Sequence, residues 1–313
     1  MRYMIIGAGG TGGAIGAFLA RAGFDVTLIA RGEHLSAIRE KGLLLHHPDG
    51  DFVTRPEACT MEDFIKDGRK APDVAFVCVK GYSIESAADF LKSAADTHTV
   101  VIPILNVYGT GGRLQKALPG MTVTDGCIYI FGERRAPGEI FMNGKMIRIV
   151  FGLRRDTPEK IKERVQPVLD QVEKELIESG IRVVNSQQVE ADTYRKFTLI
   201  SPMAAVGAAY DTTAEALQEG GLHRDDFKEL VRELLALADK QSISLPEDML
   251  EKNLDIVDHS AKDATTSMQR DIKAGHESEV DGLVYAVVRR GKELGVPLPR
   301  YEEIADILHK KLD

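Results

Sequence analysis

Cysteine is scarce in this chain, with three among 313 residues. Cys59, Cys78 and Cys127 show no Cys-x-x-Cys spacing and an odd number cannot all pair, so a disulfide framework is excluded and a reducing, cytoplasmic compartment is expected. The three thiols read as small buried apolar side chains. Metal-binding patterns are missing as well: the eight histidines form neither His-Glu-x-x-His nor any Cys/His cluster, and no metal is expected. Nothing approaches the roughly 18 consecutive apolar residues of a membrane span. The opening run Met1-Arg2-Tyr3-Met4-Ile5-Ile6 meets glycines too soon to be a signal peptide. Positive charge is in the minority, 40 Lys and Arg against 48 Asp and Glu, and the formal net charge of -8 argues against a nucleic-acid partner. Neither an internal repeat nor a low-complexity tract interrupts the chain.

What is present is the composition of a soluble globular protein, long enough for two domains that each bury a core. Up to about residue 130, apolar β-rich runs (Tyr3 to Ile6, Val26 to Ala30, Val74 to Val79, Val100 to Leu105) alternate with amphipathic stretches such as Glu33 to Lys41 and Ser83 to Ala95. That alternation predicts a Rossmann-type, doubly wound parallel sheet of the α/β class. Short β runs follow at Thr122 to Phe131, Glu139 to Phe141 and Met146 to Phe151, separated by Pro137-Gly138 and Asn143-Gly144 turns. They read as antiparallel additions at the far end of the sheet. A long amphipathic helix after Pro158, a Gly180 stop and a strand Ile181 to Val184 close this domain, 1–186. The second domain, 187–313, is all-α by periodicity, with helices expected around 188–210, 213–219, 225–241, 247–256, 261–294 and 301–311. The long apolar-striped helix over 261–294 would suit a homodimer contact.

Gly7-Ala8-Gly9-Gly10-Thr11-Gly12 satisfies Gly-x-Gly-x-x-Gly between a predicted strand and a predicted helix. In that context the first glycine makes the tight turn, the second admits a pyrophosphate to the backbone, and the third lets helix and strand pack closely. The helix N-terminus then holds the diphosphate. At the end of the second strand, where an NAD enzyme normally places an acid about 20 residues past the glycines, stands Arg31. An arginine there pairs with a 2′-phosphate, so NADPH is the expected cofactor. Lys80, at the end of Val77-Cys78-Val79-Lys80, faces the ligand crevice if that strand ends there, or is a plain surface lysine.

With Asn106 after the next strand, Tyr194-Arg195-Lys196-Phe197, and Thr266-Ser267-Met268-Gln269-Arg270-Asp271-Ile272 followed by Ser278-Glu279-Val280-Asp281, the chain resembles the ketopantoate reductase family over essentially its full length. The last pair of segments resembles the family's Ser-Ser-Met-x-x-Asp and Thr-Glu-Ile-Asp elements at the same separation. The resemblance implies reduction of the 2-keto group of ketopantoate to pantoate by hydride from NADPH, on the route to pantothenate and coenzyme A, with the helical domain closing the substrate site. It implies Lys196 as the proton donor to the developing alkoxide, chemistry that needs a donor within hydrogen-bond reach. Glu279 contacts the substrate's oxygens and, with Asn106, the cofactor; Asn106 and Ser267 bind substrate.

Read without the family, Lys196 follows Asp192 at the spacing of an ordinary helical ion pair, Ser267 could bond back to its own helix, and Glu279 sits beside Glu277 in a charged stretch. The chain also departs from the family. Asn commonly stands four and eight residues after the catalytic lysine; here those positions are Ile200 and Ala204, with Met203 on the same face. Pro202 could swing Ser201 inward as a substitute substrate contact. The small-molecule substrate therefore stays open between ketopantoate and another 2-keto acid. A non-catalytic dinucleotide sensor, the third reading, needs only the glycine motif and Arg31, and the presence of Lys196, Glu279 and Asn106 speaks against it.

Overall fold

The computed structural model describes residues 1–312, which divide into two compact units. The first comprises Met1–Leu105 and Gly109–Val189; the second comprises Asn106–Tyr108 and the chain from Glu190 onward. In chain order the first unit holds β1 (Arg2–Ile6), α1 (Gly10–Arg21), β2 (Asp25–Ile29), α2 (Gly32–Lys41), β3 (Leu43–His46), β4 (Phe52–Thr54), β5 (Glu57–Cys59) and α3 (Met61–Lys66). It continues with β6 (Val74–Val77), a 3-10 turn Gly81–Ser83, α4 (Ile84–Ala94), β7 (Val100–Pro103), α5 (Thr110–Ala117), β8 (Thr122–Val123), β9 (Asp125–Ala136), β10 (Glu139–Gly152), α6 (Glu159–Glu178) and β11 (Arg182–Asn185).

Six strands form a parallel sheet in the order β5-β2-β1-β6-β7-β8. Residues of β1 alternate between two cores: Tyr3 and Ile5 pack with Ile15 and Leu19 of α1, whereas Met4 and Ile6 pack with Phe64, Ile84 and Leu91. A strand buried on both faces has no polar side, which is why the segment reads as an unbroken apolar run. The chain leaves β1 toward β2 and returns to β6 on the other side, so strand order reverses beside β1. In open α/β sheets ligands bind outside the carboxyl ends of the strands at that reversal.

The expected antiparallel additions to this sheet are not there. Only β8 joins it; β9 and β10 belong to a second sheet, order β11-β10-β3-β4, in which β9 pairs with β10. The reason is apolar surface: Ile140, Met142, Ile147, Ile149 and Phe151 of β10 bury into the core that covers α1, an alternative to prolonging a sheet edge. Asn143-Gly144 is likewise not a turn. It lies in a register shift between Met142 and Ile147 within one continuous strand. Strands β3 to β5, each three or four residues long, carry too little pattern to be singled out from sequence.

The second unit consists of α7 (Val189–Tyr210), which starts one residue before it, α8 (Ala214–Gln218), α9 (Leu222–Lys240), α10 (Met249–Asp258), α11 (Ser267–Lys273), a π-helical turn Asp281–Tyr285, α12 (Ala286–Leu294) and α13 (Pro299–Leu312). One core binds them, with Phe197, Ala205, Phe227, Leu234, Met268 and Tyr301 at its centre. The single helix expected over 261–294 is broken. Gly275, at φ +68, ends α11, and the N–H groups of Gly275 and His276 return to the carbonyls of Ile272 and Asp271. The continuous stripe that suggested a dimer contact therefore does not exist as one helical face. Among the described residues no helix is long and apolar enough to cross a membrane, and no group of three His, Cys, Asp or Glu could hold a metal ion.

Candidate active site

In the first unit the glycine motif is the loop from β1 into α1. Gly7 has φ +95, and a Cβ there would lie 2.9 Å from the Cys78 carbonyl oxygen. A Cβ on Gly12 would collide with the Gly7 carbonyl, and one on Gly10 would lie 2.5 Å from the Gly132 carbonyl oxygen. Gly9 differs, since a Cβ there would meet nothing within 4 Å. Three glycines are thus required by packing, and the fourth opens on free space at the N-terminus of α1, whose first turn carries no acid. That arrangement fits a dinucleotide diphosphate, which needs unscreened backbone N–H groups at a helix start. Ala8 is buried between the first two glycines, and Thr11 lies in the first turn of α1.

Arg31 immediately precedes α2 on extended backbone and is exposed. Lys80 is displaced from its expected place: β6 stops at Val77, and Lys80 heads the 3-10 turn three residues later, half-buried. None of the three cysteines is in a disulfide, and burial pushes the thiols of Cys59 and Cys78 up, away from nucleophilic use.

In the second unit Lys196, on α7, is 7% exposed and donates from Nζ to Asn106 Oδ1 at 2.7 Å. Asn106 begins the three-residue segment that follows strand β7 of the parallel sheet in sequence but packs with the helices. Val107 lies in the helical core, and Tyr108 stands edge-on to Tyr194 at 4.7 Å, with Phe197 at 5.9 Å. A Cβ on Gly282 would come within 2.5 Å of Val107, so the π-helical turn closes on the same segment. Glu279, 5% exposed, lies two residues before that turn and accepts the Leu283 N–H on its own carbonyl at 2.9 Å. Asn106, Lys196 and the segment carrying Glu279 are thereby drawn together around Val107. A π-helical turn is unusual geometry of the kind often found at functional sites. Asp192 bridges to Arg195 at 3.2 Å.

Ser201 requires a correction. It does turn inward, but into the core: it is 0% exposed, donates to the Leu283 carbonyl at 2.6 Å, and lies 2.6 Å from the Tyr301 hydroxyl. Both partners are protein groups, so its hydroxyl ties α7 to the π turn and to α13, and is not available to replace the missing asparagines. Ala204 is fully buried and Ile200 half-buried. Ser267 is the first residue of α11, half-buried; its neighbour Thr266 is the N-cap, in a reciprocal capping box with Gln269. The Thr-x-x-Gln spacing was a readable signal for that cap. Two participants had no sequence signal: Tyr108, which packs on the lysine helix, and His34, whose ring lies 2.7 Å from the Ala8 carbonyl oxygen.

Residues 3–156 match the family described as Ketopantoate reductase PanE/ApbA, and residues 188–312 match its C-terminal counterpart. The chain belongs to the ketopantoate reductase family. It is 26% identical to a 2-dehydropantoate 2-reductase of Halobacterium salinarum (strain ATCC 700922 / JCM 11081 / NRC-1), with 98% of each chain covered. To the 2-dehydropantoate 2-reductase of Pyrococcus abyssi (strain GE5 / Orsay) it is 29% identical over 96% of this chain and 94% of the other. The crystal structure of a PanE/ApbA family ketopantoate reductase from Ralstonia eutropha JMP134 superposes with a TM-score of 0.87 at 25% identity, covering 99% and 98%. The fold is shared equally with a D-mandelate dehydrogenase solved with NADH and anilino(oxo)acetate, TM-score 0.88 at 21% identity, covering 100% and 99%. The chain is accordingly an oxidoreductase of a family acting on a keto group.

Proposed function

We propose that this protein reduces the 2-keto group of a small 2-keto acid with NADPH, ketopantoate being the first substrate to consider. The observation that carries the reading is the buried Lys196, with Nζ held 2.7 Å from Asn106 Oδ1 in a chain of this family. When bound, the nicotinamide supplies hydride to the keto carbon. The chain's own groups do the rest. Gly9 and the start of α1 receive the diphosphate, and Arg31 pairs with the 2′-phosphate. Lys80 takes a place on the cofactor side. Lys196 Nζ gives its proton to the keto oxygen as negative charge develops there, and the product is the 2-hydroxy acid. Asn106 orients that ammonium group and contacts substrate and cofactor, Glu279 accepts a hydrogen bond from the substrate's hydroxyl, and Ser267 binds the carboxylate.

A second reading, a different 2-keto acid, is favoured by the wall beside the lysine. Ile200, one turn beyond Lys196, is half-buried and apolar, and Ser201 is spent elsewhere. A site without partners for a substrate hydroxyl discriminates poorly in its favour, an unpaired polar group costing about 1 to 3 kcal/mol. NADPH consumption is to be followed with ketopantoate, 2-ketoisovalerate and an aryl 2-keto acid, with wild type and Ile200→Asn. A wild type that strongly prefers ketopantoate, with no gain from asparagine at 200, removes the second reading; turnover of none of them removes both. Asparagine at 204 is no test, because Ala204 is sealed in the core. For the cofactor, Arg31→Ala weakens NADPH binding about tenfold and spares NADH, as expected for loss of a charged hydrogen bond. Equal affinity of wild type for both would overturn the NADPH assignment.

A further inference from the structure

One buried side chain outside the residues already placed touches the glycine loop directly. His34, in the first turn of α2, is 5% exposed, and both ring nitrogens are engaged. Nδ1 accepts the Gly138 N–H at 2.8 Å, and Nε2 lies 2.7 Å from the Ala8 carbonyl oxygen. The first bond decides the tautomer: a nitrogen that accepts carries no proton, so the proton is on Nε2, which donates to Ala8. Gly138, at φ +77, is the turn between β9 and β10, so the imidazole is a strut between that hairpin and the loop.

The same hairpin presses on the start of α1. Gly10 has room for no Cβ beneath Gly132, and a Cβ on Gly13 would lie 2.8 Å from Ile140 Cδ1. From the sheet side Cys78 backs Gly7. Between those flanks lies the Ala8–Gly9 peptide, whose carbonyl oxygen is the atom that His34 meets. That peptide is planar and trans, so its carbonyl and the Gly9 N–H point in opposite directions. A carbonyl held toward His34 therefore turns the Gly9 N–H away from the ring, and Gly9 is the one motif glycine with open space before it.

We propose that His34 is a positioning residue for dinucleotide binding, fixing the Ala8–Gly9 peptide so that the Gly9 N–H is presented to the diphosphate. The proposal rests on the reading of this loop as the dinucleotide site. A protonated ring would set N–H against the Gly138 N–H and break the strut. Burial and Arg134 on β9 both hold the ring's pKa below its ordinary value. The other charged groups near it in sequence on those elements are Arg31 and Glu33 at the start of α2, both exposed, Arg135 of β9, which is exposed and pairs with Glu133, and Glu139 of β10, 3.3 Å from His46.

The test is calorimetric titration of NADP⁺ into wild type, His34→Leu and His34→Gln. A glutamine amide has one acceptor and one donor edge and can serve both partners; leucine leaves both unpaired. His34→Leu is expected to weaken binding about tenfold or more, and His34→Gln to restore it to within a few-fold of wild type. His34→Leu binding within twofold of wild type, or His34→Gln binding no better than His34→Leu, overturns the proposal. Should His34→Leu not fold, the pH profile decides. On acidification below the ordinary histidine range, wild type loses affinity faster than His34→Gln, the 2′-phosphate being common to both; profiles that stay parallel as far as both proteins remain folded overturn it. Wild type that binds neither NADP⁺ nor NAD⁺ sinks the dinucleotide reading itself, a different outcome from variants that bind as well as wild type.

Discussion

The two units meet their functional demands with different parts of the chain. In the α/β unit the candidate binding groups at the glycine loop are main-chain N–H groups, and side chains are mostly excluded: Gly7, Gly10 and Gly12 lack room for a Cβ. In the helical unit the candidate groups are side chains, Lys196, Asn106 and Glu279, brought together by packing around Val107 and Tyr108. The difference teaches where each unit is vulnerable. A methyl group suffices to damage the first, through geometry; the second is damaged by removing a functional atom, through chemistry, while its core stays intact.

Four tests would break or sharpen that contrast. The largest effect is expected for Lys196→Ala, with turnover falling about 10² to 10⁴-fold, the usual worth of a general acid, and NADP⁺ affinity staying within a few-fold. Steady-state kinetics with a direct binding titration measure it, and a variant retaining a third of wild-type turnover would reduce Lys196 to a packing residue. Next is the pair Gly12→Ala and Gly9→Ala. The first places a methyl against the Gly7 carbonyl and is expected to lower the unfolding midpoint strongly; the second meets nothing and is expected to leave the midpoint nearly unchanged while weakening NADP⁺ binding. If Gly9→Ala binds NADP⁺ normally, the open space before Gly9 is not the diphosphate site.

Ser201→Ala tests the helical unit's internal tie. It leaves the Leu283 carbonyl and the Tyr301 hydroxyl without their partner and is expected to cost about 1 to 3 kcal/mol in denaturant unfolding, with little change in the KM for the keto acid. A large rise in KM without loss of stability would return Ser201 to the substrate site. The smallest effect is the pH dependence from His34. Its folded-state pKa lies below the ordinary 6.5, so on acidification the unfolded chain takes up the proton first. Stability present above 6.5 is therefore lost as pH falls through the window below it, and His34→Gln is expected to flatten that limb of the unfolding profile.

The features legible in the sequence are those whose partners are neighbours along the chain. Strand β1, the glycines and α1 are contiguous, so Gly7 to Gly12 announce themselves; Arg31 follows one strand later, and the Tyr194 to Phe197 helix carries its lysine in a local pattern. By itself the sequence determined the class of the fold, a doubly wound sheet followed by helices, because strand and helix periodicity and glycine geometry are short-range properties. It also determined the chemistry on offer, since residue types settle what can donate or accept a proton. Only the tertiary structure decided which groups meet. Ser201 is claimed by Leu283, 82 residues away, and His34 by Gly138, 104 residues away. Asn106 to Tyr108 join the helices and not the sheet whose strand β7 they follow, and Gly275 ends a helix that apolar spacing alone would have continued. Such pairings depend on which apolar surfaces bury one another across the fold, and that competition is non-local, so no window of the sequence contains its outcome.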